Sequence, residues 1–233
     1  MRFGVVCQGN WEYYEGRFLE EIEEQEGRCS IRTMIITFDD IEKALARREP
    51  EILSDDNRTR AAVSMILREE QSGMQVLFIE RAPHERDPWS GHIGFPGGKV
   101  EDIDENPRMA AERETMEEIG LDLREASYLG RLSEIAAETL PIRLSCFVYG
   151  VGRARPLRLS EEVKDILWVP LAALLDLENH GDSLVRFAGG TLMRPAIRLP
   201  RMGKPVLWGI TYRLVMQFLE LMQDFETNNL LSA

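Results

Sequence analysis

Asn106-Pro107-Arg108-Met109-Ala110-Ala111-Glu112-Arg113-Glu114-Thr115-Met116-Glu117-Glu118-Ile119-Gly120 is the stretch around which the rest of this 233-residue chain is best read. Asn106 can cap a helix, Pro107 suits its first position, and Gly120 can end it in the left-handed conformation. On that helix Glu114 and Glu118 are four apart and Glu117 lies three beyond Glu114, so the three carboxylates share one face over a single turn. Met109, Met116 and Ile119 have the spacing of a second face that could bury. Carboxylates this close repel one another, and shared hard cations relieve the repulsion. Oxygen-only ligands point to Mg²⁺ or Mn²⁺ rather than zinc.

Immediately upstream, Gly91-His92-Ile93-Gly94-Phe95-Pro96-Gly97-Gly98-Lys99-Val100-Glu101-Asp102 packs four glycines and a proline into Gly91–Gly98. Such a loop turns tightly and lets backbone approach a ligand. Gly97 and Gly98 are read as positioning the helix and the substrate. Lys99 fits a phosphate contact or an ordinary solvated loop residue. His92 can orient substrate or water, or bond to backbone as loop histidines do. Arg81, closing the strand before the loop, is divided between phosphate contact and flanking the core.

Further out, Thr59–Leu67 and Met74–Arg81 read as strands joined by the Gly73 turn. Ser127–Leu132 and Ile142–Val151 are further strand candidates. Val206–Phe225 reads as a long amphipathic helix with Leu214, Phe218 and Leu221 on its apolar face. Thr37–Arg48 has a capping Thr37, acidic residues in its first turn and a stop at Pro50. Helices and strands interleave without regular βαβ repetition, so the class is mixed α/β. Residues 1–57 are taken as a partly helical appendage, 58–226 as the main domain and 227–233 as a short tail. Within the appendage, Met1–Cys7 suggests a short strand and the glutamate-rich Glu12–Gly27 a solvated helix or loose acidic segment.

Arg113-Glu114-Thr115-Met116-Glu117-Glu118-Ile119-Gly120-Leu121 resembles the terminal half of the signature box of the Nudix hydrolase family. In that pattern the leading glycine stands fourteen residues before the arginine, whereas Gly98 stands fifteen before Arg113. Either Asp104 or Glu105 therefore takes the place of the box's intermediate glutamate. Pro96-Gly97-Gly98-Lys99, the expanded spacing, Arg81 and Trp208-Gly209-Ile210-Thr211 together resemble the coenzyme A pyrophosphatase-like branch. The resemblance implies an α/β/α sandwich with a mixed β-sheet and Mg²⁺- or Mn²⁺-dependent cleavage of a pyrophosphate in a nucleoside diphosphate linked to another moiety. It also implies that Glu114, Glu117 and Glu118 bind the cations and orient or activate water, with Arg113 supporting them through a salt bridge. Many members supply another glutamate from a later segment, for which Glu162 and Glu138 are candidates. Each has an ordinary solvated-surface alternative.

The 40 acidic against 28 basic residues give a formal charge of -12, which disfavours nonspecific binding to nucleic acid or anionic membrane. Bound cations still allow a phosphate-containing small molecule as substrate. Cys7, Cys29 and Cys146 form no disulfide framework or zinc knuckle, and no signal peptide or bilayer-length apolar run is seen, so a cytoplasmic location is expected. A second copy of the chain is a candidate partner through the apolar stripe of the last helix. The leading function is hydrolysis of coenzyme A or acyl-coenzyme A. Alternatives are an ADP-ribose or nucleotide-sugar hydrolase, a nucleoside triphosphate pyrophosphohydrolase, and a noncatalytic nucleotide-binding regulatory module.

Overall fold

The computed structural model describes residues 36–54, 57–84, 89–137, 140–152, 156–187 and 189–231, all within the unit Ile36–Ala233. The strand and acidic helix expected before residue 30 lie outside the described residues.

Strand β1 (Thr59–Glu70) runs through the middle of the main sheet. Its last residues form a hairpin with β2 (Gly73–Arg81), Leu67 opposite Val76, with Gly73 at φ 109° closing the turn. Its beginning pairs with β4 (Gly97–Lys99), Ala62 opposite Gly98 and Val63 opposite Gly97. Along its other edge it runs parallel to β7 (Ile142–Val151), from Thr59 opposite Ile142 to Arg68 opposite Val151. Antiparallel β5 (Ser127–Arg131) and β6 (Ile135–Ala136) flank β7, while β3 (Ile93–Gly94) and β8 (Val163–Pro170), which leads into the short α3 (Leu171–Leu175), flank β2. The sheet is therefore mixed, as expected.

Side chains alternate across these strands and supply two core layers. Ala62 and Ile66 of β1, with Leu77, Ile79, Phe147 and Tyr149, pack against Ala110, Ala111 and Ile119 of α2 (Pro107–Ile119). On the opposite face Met65, Leu67, Val76, Phe78, Cys146 and Val148 meet α1 (Phe38–Ala46) and α4 (Gly209–Leu231). This is the α/β/α sandwich that the resemblance implied. Helix α1 begins with a reciprocal capping box, Thr37 Oγ1 accepting from Asp40 N–H while Asp40 accepts from Thr37 N–H, and buries Ile41, Ala44 and Leu45 in the same cluster as α4. Leu214, Phe218 and Leu221 are spent on this internal packing.

Two expectations need correction. The last helix does not begin at Val206, because β11 (Leu207–Trp208) is held in a three-stranded sheet by β10 (Gly190–Ile197), which pairs in turn with β9 (His180–Phe187). Gly209, at φ 64°, makes the bend from which α4 starts. Met109 and Met116 do not bury: they are 39% and 52% exposed, and α2 packs through the small Ala110 and Ala111 with Thr115 and Ile119. Short side chains let α2 lie close on β1. The Ser64 hydroxyl donates to the Ala111 carbonyl at 3.2 Å and lies 3.0 Å from the Thr115 hydroxyl. Among the described residues no helix is long and apolar enough to cross a membrane.

Candidate active site on helix α2

Helix α2 forms as its ends dictate: Asn106 Oδ1 accepts from Met109 N–H at 3.1 Å, Pro107 opens the first turn, and Gly120 closes the last at φ 67°. Its carboxylate face is turned toward β4, and the two glycines there serve different purposes. Gly97 has φ 147°, and its N–H donates to Glu118 Oε2 at 2.9 Å. A Cβ on Gly97 would strike the Ala62 carbonyl and the Val63 Cα. At Gly98 the backbone is unremarkable, but a Cβ would fall inside the Glu114 carboxylate. Gly98 thus leaves room for Glu114 against the strand, while Gly97 lets β4 lie against β1 and holds Glu118 through its N–H.

Arg113 is the hub that fixes the face. Its Nε and one terminal nitrogen grip both oxygens of Asp104 at 3.1 and 3.0 Å, the fork-on-fork geometry that suits guanidinium to carboxylate. The other terminal nitrogen, Nη1, reaches Glu114 Oε1 at 3.0 Å and Glu117 Oε2 at 3.4 Å, while Nη2, which holds Asp104, also donates to the Lys99 carbonyl at 3.2 Å. Of Asp104 and Glu105, Asp104 is the one paired with Arg113, its side chain buried there, whereas Glu105 is exposed. The extra residue after Gly98 is absorbed in the loop, where Asp104 also accepts from Glu101 N–H at 2.9 Å. The bonds to Arg113 hold the Asp104 carboxyl below the usual carboxylate range.

Glu118 lies almost wholly buried, with Arg81 Nη1 at 3.7 Å from its Oε1. Burial pushes its carboxyl up to about 7, against the opposing pull of the Gly97 N–H and Arg81; Glu114 and Glu162 push the same way as burial. Glu114 is raised as well, first by burial, with Arg113 opposing and Glu117 and Glu162 adding repulsion. Glu162, exposed just before β8, thus lies within electrostatic reach of both carboxylates. Glu138 lies outside the described residues. Lys99 turns its side chain to solvent and contributes its carbonyl. The His92 carbonyl accepts from Arg81 N–H at 3.0 Å, and its ring Nε2 bonds the Arg186 carbonyl at 2.8 Å.

Among the described residues no three acidic, His or Cys side chains close into a ready-made metal cage. The donor set nonetheless suits a hard cation. Mg²⁺ typically keeps several waters and takes one or two carboxylates together with substrate phosphates. Glu118 and Glu114 are oxygen donors whose charge is poorly tolerated where they are buried, which is the situation a cation relieves. Glu117, with a side chain 60% exposed, stands at the open side of the same face.

A family model described as NUDIX domain matches residues 58–187. The chain is 34% identical to an uncharacterized protein of Schizosaccharomyces pombe over 60% of this chain and 54% of that one. It is 32% identical to the human mitochondrial coenzyme A diphosphatase, the match covering 58% of each chain. It thus spans little more than half the length of these curated relatives. Among solved structures, a MutT/nudix family protein from Enterococcus faecalis shares the fold with a TM-score of 0.51 at 14% identity, covering 81% of this chain and 70% of that one.

Proposed function

The chain belongs to the NUDIX family, and from that membership we propose that it is a divalent-metal-dependent hydrolase of the pyrophosphate in a nucleoside diphosphate linked to another moiety, with coenzyme A or acyl-coenzyme A as the preferred substrate. The observation that carries this reading is the carboxylate face of α2, where Arg113 holds Glu114 and Glu117, the Gly97 N–H holds Glu118, and Gly98 leaves room for Glu114 against β4.

Mg²⁺ or Mn²⁺, when bound, would neutralise the pyrophosphate oxygens and lower the pKa of an attacking water. Glu114, Glu117 and Glu118 are assigned as its ligands. Arg113 acts as a positioning residue: anchored on Asp104, it holds Glu114 and Glu117 on the same side of α2. Arg81 stands beside Glu118 Oε1 and offers a guanidinium to a phosphate arriving at the glycine loop. Gly98 admits the Glu114 carboxylate beside β4, and the Gly97 N–H holds that of Glu118. Glu162 supplies further negative charge at the rim. No Ser, Cys or His nucleophile with a paired base accompanies this face among the described residues, and direct attack by water follows from the carboxylate arrangement.

Preference for coenzyme A is supported by the Pro96–Lys99 and Trp208–Thr211 segments, by the expanded spacing that Asp104 accommodates, and by similarity to the human coenzyme A diphosphatase. The test is kcat/KM at saturating Mg²⁺ for coenzyme A, dephospho-coenzyme A, ADP-ribose and nucleoside triphosphates. Coenzyme A is expected to equal or exceed ADP-ribose, yielding 3′,5′-ADP and 4′-phosphopantetheine. A strong preference for ADP-ribose would defeat the coenzyme A reading and leave the metal-helix mechanism standing.

A further inference from the structure

Strand β8 changes phase near its start. From Asp165 onward it alternates regularly: Leu167 and Val169 join the layer that meets α1 and α4, while Ile166 and Trp168 pack in the α2 layer. Continued without interruption, that alternation would place Val163 with Leu167 and Val169. Val163 is instead buried in the α2 layer, in one cluster with Ile79 and Ile119. The register gives the reason. Glu80 lies opposite Asp165 but Arg81 lies opposite Val163, so Lys164 is an extra residue in β8, a β-bulge.

The bulge is locked by charge. Glu80 is 2% exposed, on the face of β2 that carries the apolar Val76 and Phe78. Lys164 Nζ reaches Glu80 Oε1 at 2.5 Å, and Lys204 Nζ reaches Glu80 Oε2 at 2.5 Å and Asp165 Oδ2 at 2.6 Å. Burial pushes the Glu80 carboxyl up, yet the bonds from the two lysines outweigh it and hold it below the usual carboxylate range. A buried ion cluster contributes little stability beyond apolar packing of the same volume; what it can fix is register. In the unbulged register Lys164 would stand opposite Arg81, cation against cation, and Val163 would leave the α2 layer.

The chain before the bulge takes its position from it. Val163 N–H donates to the Ser160 carbonyl at 3.2 Å, closing the turn that contains Glu162. Two further bonds tie this turn down: Ala82 N–H donates to the Glu162 carbonyl at 2.8 Å, and Ser160 N–H donates to the Glu118 backbone carbonyl at 2.9 Å. The turn is thereby held on the end of α2, at the residue whose carboxylate meets the Gly97 N–H. A slip of one residue would move it along the strand by about 3.3 Å, enough to break both ties. Glu162 is exposed, so its place depends on these backbone anchors.

We propose that Glu80 and Lys164, with Lys204 as the second counter-charge, are positioning residues: by locking the bulge in β8 they deliver Glu162 to the carboxylate face of α2. This rests on the hydrolase reading above for what Glu162 does there.

Amide hydrogen exchange is followed by NMR on the full-length chain without added cation, in the parent and in Lys164→Met, Lys164→Arg and Glu80→Gln. In Lys164→Met and in Glu80→Gln, exchange at the Ala82 and Ser160 amides should quicken about tenfold or more, while amides in the β1–β7 pairing keep the parent's protection. Lys164→Arg, which keeps the charge, should retain protection at both. In turnover, Lys164→Met and Glu80→Gln should each lower kcat in the parent background and change little in a Glu162→Gln background, since all act through one residue. If Lys164→Met does not fold, Glu80→Gln supplies the same comparison. Unchanged exchange at both amides in the folded variants, a rise spread evenly along β2 and β8, or kcat losses that add to that of Glu162→Gln would overturn the proposal. Because the exchange measurement needs neither cation nor turnover, a chain that hydrolyses nothing defeats the hydrolase reading, and the Ala82 and Ser160 amides still decide the lock.

Discussion

In Gly98→Ala the added methyl group would lie 2.7 Å from Glu114 Oε2 and nearer still to its Cδ and Oε1. Backbone strain is not at issue, since Gly98 is absent from the positive-φ glycines and sits in register opposite Ala62. The obstacle is the far end of a flexible side chain, so the fold relieves the clash by moving the Glu114 carboxylate rather than the strand. The retreat needed to regain van der Waals contact is about 1 Å, enough to break its 3.0 Å bond from Arg113. A misplacement of that size at a reacting site costs on the order of a hundredfold in rate. Gly97→Ala makes the contrasting perturbation. Its Cβ would meet backbone atoms of β1 that cannot yield, and its φ of 147° is one that L side chains rarely adopt. Thermal unfolding and Mg²⁺-dependent turnover are measured on both variants. Gly98→Ala should melt within a few degrees of the parent with about hundredfold lower kcat. Gly97→Ala should be destabilised by about 2 kcal/mol or more and melt well below it. Parent-like turnover in Gly98→Ala would refute the claim that the glycine exists to admit Glu114.

Three further outcomes follow from the same geometry. Glu118, raised from 4.5 to about 7, binds a proton in the folded state that the unfolded chain releases at lower pH, so the metal-free protein should lose stability as pH rises from about 4.5 to 7, by up to about 3 kcal/mol. Glu118→Gln should remove that part of the slope in pH-dependent melting, and an identical slope in the variant would contradict it. Asp104→Asn should lower turnover by releasing Arg113, while Glu105→Gln should leave it near the parent's; the reverse ranking in steady-state assays would exchange the two roles. Under single-turnover conditions in ¹⁸O-water, label should enter one phosphate product, and a trapped phosphoryl- or nucleotidyl-enzyme would argue against direct attack.

Helix α2 was legible because its information is local: Asn106, Pro107 and Gly120 mark its ends, and spacing alone puts three glutamates on one face. The β1–β2 hairpin was legible through Gly73 and the flanking apolar runs. The parallel partnership of β1 with β7 was not, since nothing near Thr59 records that Ile142 will lie beside it. The choice between Asp104 and Glu105 likewise depends on which carboxylate the loop turns toward Arg113. Periodicity misjudged Met109 and Met116 because α2 approaches β1 through alanines, leaving the long side chains no room on the packed face. The β9–β10 hairpin gave little signal, with Leu184 and Met193 exposed opposite one another and little apolar alternation. The proximity of His92 and Trp208, far apart in sequence, becomes visible only when the chain is folded.

The most direct test of the central claim is Mg²⁺-dependent hydrolysis of a linked nucleotide by the parent and by Glu118→Gln, each at limiting and saturating cation. Replacing one carboxylate oxygen by an amide preserves size and the capacity to accept the Gly97 N–H bond, so the variant should fold as the parent does. The parent should release both halves of the substrate only when Mg²⁺ or Mn²⁺ is present. Glu118→Gln should lose most of that turnover and require more cation for what remains. Equal turnover in parent and variant at limiting Mg²⁺ would contradict the assignment of α2 as the metal-binding, catalytic element.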